Sequence, residues 1–373
     1  MVNILTIVKY IVLILLILVI AAVASIMYIL PKPHRFWYDQ PVSWNDVSGD
    51  ELIPMGRLPD YEIKLPPYTE LRVFDDDCDY DGLCDFLNSN FSSHLRMSRT
   101  VIKSHLRKEG CANIGFYLHN ELIGFIHGRP ITIVYKDVEY TVHYVEYLCV
   151  KKENRGHNIS PMLISRYVQE MERKLARDDL WFLFKKDATA HPFRPFIEST
   201  YLYMDMEDIS GDESVSTTGI MSVSDANDKT KLYNDWILYS SRYKFHRSAI
   251  ETEFFSPGTH AWICGIDRVA FVVKFSELYD SIRNMYDPVV DIEYIVELSD
   301  QYTENYPWTL VDLLNQWKSL KYRFVTMNDI GEHKSILSNL CNATWKNANP
   351  FQYYAFNFKM PHVENKDVYF TIN

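Results

Sequence analysis

The sequence lacks the features that mark several common functional classes. Its 38 lysines and arginines are outnumbered by 49 acidic residues, giving a formal net charge of −11, whereas a nucleic-acid-binding surface needs a concentration of basic side chains. The six cysteines form no C-x-x-C pair and have no histidines at zinc-binding spacing, so we expect free thiols in a reducing compartment. There is no G-x-S-x-G elbow, H-E-x-x-H helix or P-loop, which argues against hydrolase, metalloprotease and NTPase activities. We therefore expect neither a nucleic-acid partner nor a metal cofactor.

One long run near the start carries no charge. Residues 10–30 are 21 uncharged residues, which as a helix would span a hydrocarbon core of roughly 30 Å. The run stays bulky up to Pro31, unlike the small-residue cleavage site of a signal peptide. Lys9 precedes it, and Lys32 and Arg35 follow it. The sequence therefore predicts a single-pass membrane protein, and the positive-inside bias favours a cytosolic main body.

The rest of the chain is divided by composition and by pattern. With 47% hydrophobic residues overall, it has enough apolar side chains for one large domain or two fused ones. A Pro- and Trp-rich stretch without periodicity predicts an extended arm, and a polar Gly- and Ser-containing stretch predicts a linker. The expected segments are a short start at 1–9, a transmembrane helix at 10–30, an arm at 31–67, a first unit at 68–209, a linker at 210–219 and a second unit at 220–373.

The order of predicted elements is the same in both units. The first has strands at 114–118, 122–134 and 140–150, then a helix with Ser160 as N-cap and Pro161 at its first position, then a strand at 180–184. The second has strands at 261–266, 269–275 and 292–298, a helix with an apolar stripe from Leu310 to Trp317, and a strand at 322–327. This recurrence predicts a duplicated α/β unit. Before the first unit's strands we expect two helices, the second capped by Ser98.

The segment 144–166 is where the pattern points to a ligand. A buried-looking strand at 145–150 leads through a polar loop at 151–158 into the predicted helix start at Ser160. A helix amino terminus presents unpaired N–H groups and the positive end of the helix dipole, which suit a pyrophosphate. Many α/β proteins have such a turn, so this signal alone is weak.

Four ordered motifs resemble one known family, the glycylpeptide N-myristoyltransferases. They are Phe36-Trp37 with Gln40-Pro41-Val42; Leu122-Ile123-Gly124-Phe125-Ile126 with Pro130; Leu148-Cys149-Val150-Lys151-Lys152 with Arg155, Ile159-Ser160-Pro161 and Leu163-Ile164; and Gln352-Tyr353-Tyr354 with Lys359-x-Pro361. The resemblance covers most of residues 36–373 and is patchy from 210 to 308. It implies an α/β (α+β) fold of two fused acetyltransferase-like (GNAT-type) units that follow the transmembrane helix.

The resemblance also implies a ligand and an activity. The first unit would bind myristoyl-CoA, and the second would supply most of a groove for N-terminal glycine peptides or proteins; we further expect a monomer. The residues that would contact the acyl-CoA are Arg35, Phe36, Trp37, Leu148, Cys149, Val150, Arg155, Gly156, His157, Asn158, Ile159 and Ser160. Tyr201 would contact the peptide.

The implied reaction is the attack of a glycine amine on a thioester carbonyl. Its oxygen gains negative charge and needs N–H donors in a dry site; the resemblance assigns the backbone amides of Tyr147 and Leu148 to this task. The amine must also lose a proton, and the resemblance assigns the terminal carboxylate of Asn373 as the acceptor. Burial would raise the pKa of that carboxylate and make it a better base.

Several positions differ from the family's pattern. Residues 92–96 replace an acidic cluster that receives basic peptides, residues 347–350 replace a Gly-rich turn, and Tyr203 replaces a histidine. The phosphate loop has lost basic side chains, so coenzyme affinity would depend on backbone N–H groups with Lys151, Lys152 and Arg155. Two alternatives stay open at this point. One is another acyl-CoA-dependent N-acyltransferase of the same fold, and the other is a catalytically inactive membrane or scaffold protein that keeps the fold.

Overall fold

The structure is a computed structural model, and its helices lie on both sides of a large sheet. It describes residues 12–22, 35–45, 47–49, 51–58, 62–74, 80–91, 95–187, 193–209, 222–280, 283–298, 309–340 and 345–370. The α-helices among these residues are α1 (12–22), α2 (Tyr80–Asn90), α3 (Arg99–Leu106), α4 (Ile159–Leu175), α5 (Ala226–Ser240), α6 (Glu251–Phe254), α7 (Leu310–Ser319) and α8 (His333–Leu340).

The described strands run through the whole length of the main body. They are β1 (Ile53–Pro54), β2 (Thr69–Val73), β3 (Leu95–Met97), β4 (Ala112–Leu118), β5 (Glu121–Tyr135), β6 (Val138–Val150), β7 (Phe182–Asp187), β8 (Ile197–Asp205), β9 (Phe245–Ser248), β10 (Thr259–Cys264), β11 (Val269–Asp280), β12 (Met285–Glu297), β13 (Phe324–Asn328), β14 (Lys346–Phe356), β15 (Phe358–Lys359) and β16 (Val368–Tyr369).

Fourteen of the described strands form one sheet, with β1 and β15 pairing separately. Its main path is β10-β11-β12-β13-β8-β14-β7-β6-β5-β4-β2, while β3 adds to β11, and β9 joins β5 to β16. β8 and β14 stand between β13 and β7, so the two predicted units share a continuous hydrogen-bonded sheet. The boundaries of those units stay predictions, and the predicted linker at 210–219 lies outside the described residues.

The predicted recurrence of elements is present in the strand pairing. β4, β5 and β6 are antiparallel neighbours, α4 follows, and β7 pairs parallel to β6. β10, β11 and β12 are likewise antiparallel, α7 follows, and β13 pairs parallel to β12. A helical crossover between parallel strands is the normal way to join them. The fold is therefore mixed α/β, as the sequence predicts.

The first turns of this fold follow from local sequence. His119 and Asn120 have φ of 50° and 66°, and Lys136 and Asp137 have φ of 49° and 64°, so both predicted turns use two left-handed residues. Such turns match the twist of antiparallel strands. Ser98 caps α3, and its Oγ accepts a hydrogen bond from the Val101 N–H at 3.2 Å.

The predicted start of α4 is wrong by two residues. The helix begins at Ile159, and its N-cap is Asn158, whose φ of 60° is left-handed. Ser160 and Pro161 therefore lie inside the first turn, where a proline is tolerated because its missing N–H has no partner there. The predicted cap failed because loop geometry, and not the Ser-Pro pair, sets where the helix starts.

The arm at 31–67 is partly folded onto the body. Arg35–Asp39 is a 3₁₀ helix, Val42 makes an isolated antiparallel bridge to Phe356, and β1 pairs with β15. Val42 and Leu58 are buried in the core beside α4. The arm therefore carries its aromatic residues to the region where β6 and β7 meet.

The predicted membrane span is described only in part. Residues 12–22 are helical, and the large apolar side chains from Val12 to Ile20 are all exposed. Residues 10, 11 and 23–30 lie outside the described residues. Within the part of the chain that is described, no helix has the length and apolar character needed to cross a bilayer.

Candidate functional site

A large cavity opens where β6 and β7 separate. The two strands pair over only three residues each, His143–Val145 of β6 with Phe182–Phe184 of β7. Beyond these paired residues, side chains of both strands line the cavity. The cavity has a volume of about 1290 Å³, which exceeds the ~300–1,000 Å³ of ordinary small-molecule pockets. It runs from the start of α4 to residues of β8, β11 and β12. A cavity of this size suits a long ligand together with a second substrate better than a single small metabolite.

Most of the predicted site residues lie on the wall of this cavity. Those that do are Phe36, Trp37, Tyr147, Leu148, Val150, Arg155, Gly156, Asn158, Ile159, Ser160 and Tyr201. Cys149 and His157 do not line it. The side chain of Arg35 and the whole of Asn373 lie outside what the structure describes. The predicted roles of these residues are therefore not decided by their placement alone.

Cys149 faces away from the cavity because side chains alternate along a strand. Its side chain packs with Leu83, Leu87 and Ile102 of α2 and α3. Burial raises the pKa of its thiol to about 12. A thiol in this state is not a nucleophile at neutral pH.

A bulge in β6 lies at the centre of the cavity wall. Phe125 pairs with Cys149 and His127 with Glu146, so Tyr147 and Leu148 together oppose the single residue Ile126. Tyr147 has a left-handed φ of 56°, which is costly for a residue with a side chain. A bulge leaves one residue of its strand without regular ladder partners. The bulge thus interrupts the regular hydrogen bonding of β6 with β5 at Tyr147 and Leu148.

Buried polar side chains hold the bulge in place. The Tyr147 hydroxyl and His105 Nδ1 are 2.7 Å apart, and both groups are buried. Burial lowers the pKa of His105 well below its usual value and raises that of Tyr147 well above its own, so both stay neutral. A neutral histidine can accept the hydroxyl proton in a hydrogen bond.

The neighbouring Glu146 is a buried carboxylate with a matched cation. Arg129 Nε donates to its Oε1 at 2.8 Å, and His127 Nε2 lies 3.4 Å from the same oxygen. Burial acts to raise the pKa of Glu146, but the charge of Arg129 outweighs it and holds that pKa well below its usual range. Glu146 is therefore ionised and forms an ion pair with Arg129.

The start of α4 forms one end of the cavity. Gly156 has a φ of 86°, which favours glycine, and Asn158 turns the chain into the helix without a side-chain cap among the described residues. Lys152 and Arg155 line the same end, and Arg155 Nε donates to the Val150 carbonyl at 3.1 Å. Lys151 is instead ion-paired with Glu121 and does not line the cavity. The N–H groups at the start of α4, the positive end of its helix dipole and the side chains of Lys152 and Arg155 thus lie at the same end of the cavity.

The middle of the cavity is walled by aromatic and aliphatic side chains. Trp37 from the arm stacks on Phe184 with ring centroids 5.7 Å apart, and Phe193 is 5.1 Å from Trp37. Tyr167 of α4 also reaches this wall, since Gly128 on β5 has no side chain to block it; a Cβ there would overlap the Tyr167 hydroxyl. Such a surface suits an acyl chain.

The far end of the cavity is polar and lies against β8 and β12. Tyr201 Oη donates to Asp291 Oδ1 at 2.7 Å, and Thr326 Oγ1 donates to the same oxygen at 3.0 Å. Lys185 of β7 lies over the ring of Phe351, with its Nζ 4.1 Å from the centroid. Burial raises the pKa of Asp291 to about 6. This end therefore carries a buried carboxylate of unusually high pKa.

Comparison with known proteins agrees with this geometry. The sequence profile of the myristoyl-CoA:protein N-myristoyltransferase N-terminal domain matches residues 67–185, which contain the bulge, the loop and α4. This part of the chain, about a third of its length, is therefore similar to the N-terminal domain of the N-myristoyltransferases.

Two curated members of the family come from Arabidopsis thaliana. The putative glycylpeptide N-tetradecanoyltransferase 2 is 28% identical over 171 residues, and glycylpeptide N-tetradecanoyltransferase 1 is 26% identical over 172. Each match covers 40% of this chain and 39% of the relative. The chain thus matches about two fifths of the length of these N-myristoyltransferases.

Solved N-myristoyltransferases share the fold over nearly the whole chain. The Saccharomyces cerevisiae enzyme with bound myristoyl-CoA superposes with a TM-score of 0.69 at 16% identity, covering 90% of this chain and 94% of that one. A second structure of the yeast enzyme, with myristoyl-CoA and inhibitors, gives 0.71 at 14% identity, with 94% and 98% covered. At this identity the likeness concerns the fold alone.

The family resemblance did not indicate Asp291 or Lys185 as cavity residues, or Thr326 as a hydrogen-bond partner of Asp291. They lie in the second half of the chain or beyond the matched motifs. One local signal was present, since β12 reads as a buried strand but carries Asp287, Asp291 and Glu293 among its apolar residues. Acidic residues on a buried strand are uncommon and mark positions worth testing.

Proposed function

We propose that this protein transfers a myristoyl group from myristoyl-CoA to the N-terminal glycine amine of a peptide or protein. One observation carries the proposal. A single cavity joins the start of α4, the bulge at Tyr147 and Leu148, and the polar end at Tyr201. A two-substrate transfer needs both partners in one dry space with their reacting atoms adjacent.

The donor fits the first two parts of the cavity. Pyrophosphate oxygens would accept hydrogen bonds from N–H groups at the start of α4, with Lys152 and Arg155 supplying positive charge. The acyl chain would lie among the aromatic residues of the middle part, including Trp37 and Phe184. The thioester would then lie near the bulge, which is between these two regions along β6.

The bulge supports the stabilisation of the reacting carbonyl. As the amine attacks, the carbonyl oxygen becomes negative, and amides that are fixed in advance stabilise that charge without reorganising. The amides of Tyr147 and Leu148 would serve as these donors. The contact between Tyr147 and His105 supports this role, because it holds the strained backbone in one conformation.

Proton removal from the amine is assigned to the terminal carboxylate of Asn373. The last described residues support the approach of the tail to the core, since Tyr369 and Phe370 are fully buried. Phe370 lies 5.0 Å from Phe245 and 5.4 Å from Tyr353 between ring centroids. One residue added after Asn373 should abolish turnover and leave acyl-CoA binding intact; full turnover by that variant would refute the assignment.

The transfer itself is tested with purified protein, isotopically labelled myristoyl-CoA and an array of peptides that begin with glycine. We expect label on glycine-starting peptides and none on matched peptides whose glycine amine is acetylated. Mass spectrometry of co-purified acyl-CoA tests the donor: a different chain length would favour another N-acyltransferase of this fold. Absence of acyl-CoA binding by calorimetry would overturn the proposal in favour of an inactive protein.

We further propose that residues 10–30 anchor the protein in a membrane with the main body in the cytosol. The 21 uncharged residues and the exposed apolar face of 12–22 support it. The full chain should float with liposomes after carbonate washing. A variant with Leu15, Leu16 and Leu18 changed to aspartate should stay in the soluble fraction, and equal flotation of both would contradict the anchor.

A further inference from the structure

A second and much smaller cavity lies where the two predicted units meet. Its volume is about 10 Å³, which leaves room for one water-sized particle and excludes a polyatomic ion such as phosphate. Residues of α3, β5, α5, β9, α6, β11 and β12 line it, with Lys108 just beyond the end of α3. Among the described residues on its wall, Lys274 alone also lines the large cavity. The small cavity therefore lies outside the proposed acyl-transfer site.

Positive charge exceeds negative charge around this small cavity. The ionised side chains described on its wall are four cations and two carboxylates: Lys108, Arg129, Arg247 and Lys274, with Glu253 and Glu293. Lys274 Nζ lies 2.6 Å from Glu293. The Arg247 guanidinium lies 3.8 Å from Glu253, and Arg129 is paired with Glu146, which does not line this cavity. Even with Glu146 counted, four positive charges stand against three negative ones.

Lys108 accounts for the excess charge. The other three cations each have a carboxylate partner, whereas Lys108 forms no ion pair with any residue that the structure describes. Burial lowers the pKa of Lys108 to about 8, and the charges of Arg129 and Arg247 add to this effect, while Glu253 acts in the opposite direction. The ammonium is therefore mostly charged at neutral pH, but at a cost in free energy. A negative charge beside it would offset that cost.

Two N–H donors on residues of the wall also lack acceptors. Trp236 Nε1 and Arg247 Nε are buried and have no hydrogen-bond partner among the described residues. The whole of Trp236 is only 1% exposed, and buried N–H groups are nearly always paired. Indole and guanidinium groups donate but do not accept hydrogen bonds, so a bound cation would not satisfy them. An anion can accept from several donors at once.

We propose that the small cavity binds one monovalent inorganic anion of about the size of chloride, and that this ion joins the two units. The Lys108 ammonium of the first unit and the Arg247 guanidinium of the second would contact it, with the Trp236 N–H as a further donor. The Glu253 side chain is 36% exposed, so an ion can reach the cavity from solvent. Acyl-CoA and peptide take no part, so this site is independent of the proposed transfer.

The first test is thermal unfolding of the full chain, in an uncharged detergent, with sodium chloride or sodium gluconate at equal ionic strength. Gluconate is too large for the cavity, so the Tm should be about 2 °C or more higher in chloride. Lys108→Met removes the excess charge and should lose this difference. The matched control is Lys103→Met, which should keep it, because Lys103 lies on α3 but is paired with Asp81 and does not line the cavity.

A second test measures the reactivity of Lys108 in the wild-type chain, so it does not depend on how well a variant folds. Acetic anhydride reacts with neutral amines, and a lysine whose pKa is about 8 is labelled readily at pH 8. An anion beside Lys108 would raise that pKa and cover the ammonium. Peptide mass spectrometry should therefore find acetylation of Lys108 at least about threefold slower in chloride than in gluconate. Acetylation of Lys103 should be equal in the two salts.

Crystals grown in sodium bromide identify the ion. An anomalous bromide peak in contact with Lys108 Nζ, and absent from Lys108→Met crystals, would support the site, whereas no peak there would refute it. Equal salt responses of wild type and Lys108→Met would also refute it, as would acetylation of Lys108 at one rate in both salts. The cavity would then hold water alone. A failure of the acyl transfer would leave these outcomes unchanged, because none of the measurements involves acyl-CoA.

Discussion

Helices α4 and α7 follow the third strand of the two recurring strand–helix units, yet their first turns are satisfied in different ways. Thr309 and Asp312 form a capping box at α7, and Asp267 also accepts a hydrogen bond from the Leu310 N–H. The start of α4 has no acidic residue and no side-chain cap from Asn158. Carboxylates neutralise the positive end of a helix dipole and occupy its N–H groups. Carboxylates therefore occupy the N-terminal N–H groups of α7, whereas, among the described residues, none occupies those in the first turn of α4.

The third strand of each unit carries a buried carboxylate, Glu146 on β6 and Asp291 on β12, and the pKa values of the two are shifted in opposite directions. Glu146 of β6 is matched by Arg129, and its pKa is well below the usual range. Asp291 of β12 is held by two hydroxyls, and burial raises its pKa to about 6. A matched charge fixes structure, whereas a carboxylate with a raised pKa is more available to a ligand. The first unit thus has a helix start without a side-chain cap, and the second has a strand carboxylate with a raised pKa.

The largest effect should come from breaking the matched pair. Glu146→Gln leaves Arg129 charged and buried without its partner, which should lower the free energy of unfolding by about 3–5 kcal/mol. Denaturant unfolding measures it. The control is Glu297→Gln, whose exposed pair with Arg242 should change the free energy by no more than about 1 kcal/mol. Equal losses in both variants would contradict the view that Arg129 depends on Glu146.

Much of the first unit follows from local sequence. The left-handed turns at His119–Asn120 and Lys136–Asp137 and the cap at Ser98 are set by residues that lie next to each other. Local chemistry of this kind is readable without knowing what packs nearby. The family motifs add the loop before α4, because they too are contiguous.

The second half of the site could not be predicted in the same way. Tyr201, Asp291 and Thr326 are separated by up to 125 positions and meet only because β8, β13 and β12 are neighbours in the sheet. Strands β8 and β14, which join the two halves, were not predicted as such. The N-cap at Ser160 failed for a related reason, since the loop before α4 has a left-handed Asn158 that the residue pattern does not specify.

The raised pKa of Asp291 should make the stability of the protein depend on pH. Because the folded pKa of Asp291 is raised from 3.8 to about 6, its contribution to stability is present below pH 4 and lost as the pH rises through 6. By about 1.4 kcal/mol per pKa unit, Asp291→Asn should gain about 3 kcal/mol relative to wild type between pH 4 and pH 7. Urea unfolding at both pH values measures this gain. A constant difference between the two proteins would show that the pKa is not raised.

A carboxylate placed at α4 should make it resemble α7. Ser160→Asp puts a negative charge in the first turn, beside the proposed pyrophosphate, and should weaken acyl-CoA binding by about tenfold or more, or about 1.4 kcal/mol. Ser160→Asn has the same shape without the charge and should bind acyl-CoA within about threefold of wild type. Calorimetric titration measures both. If the two variants bound acyl-CoA with equal affinity, the pyrophosphate would not lie at the start of α4.

Opening the start of α7 should have the smallest effect, and only on stability. Thr309→Ala removes one half of the capping box and should lower the free energy of unfolding by about 1 kcal/mol. Asp267 and Asp312 stay in place, so the helix end keeps its negative charge and should still reject an anion. Acyl-CoA stoichiometry should remain one per chain. If Thr309→Ala bound a second acyl-CoA, the Thr309 cap alone would explain why α7 does not bind an anion. The nearby carboxylates of Asp267 and Asp312 would then not be the reason.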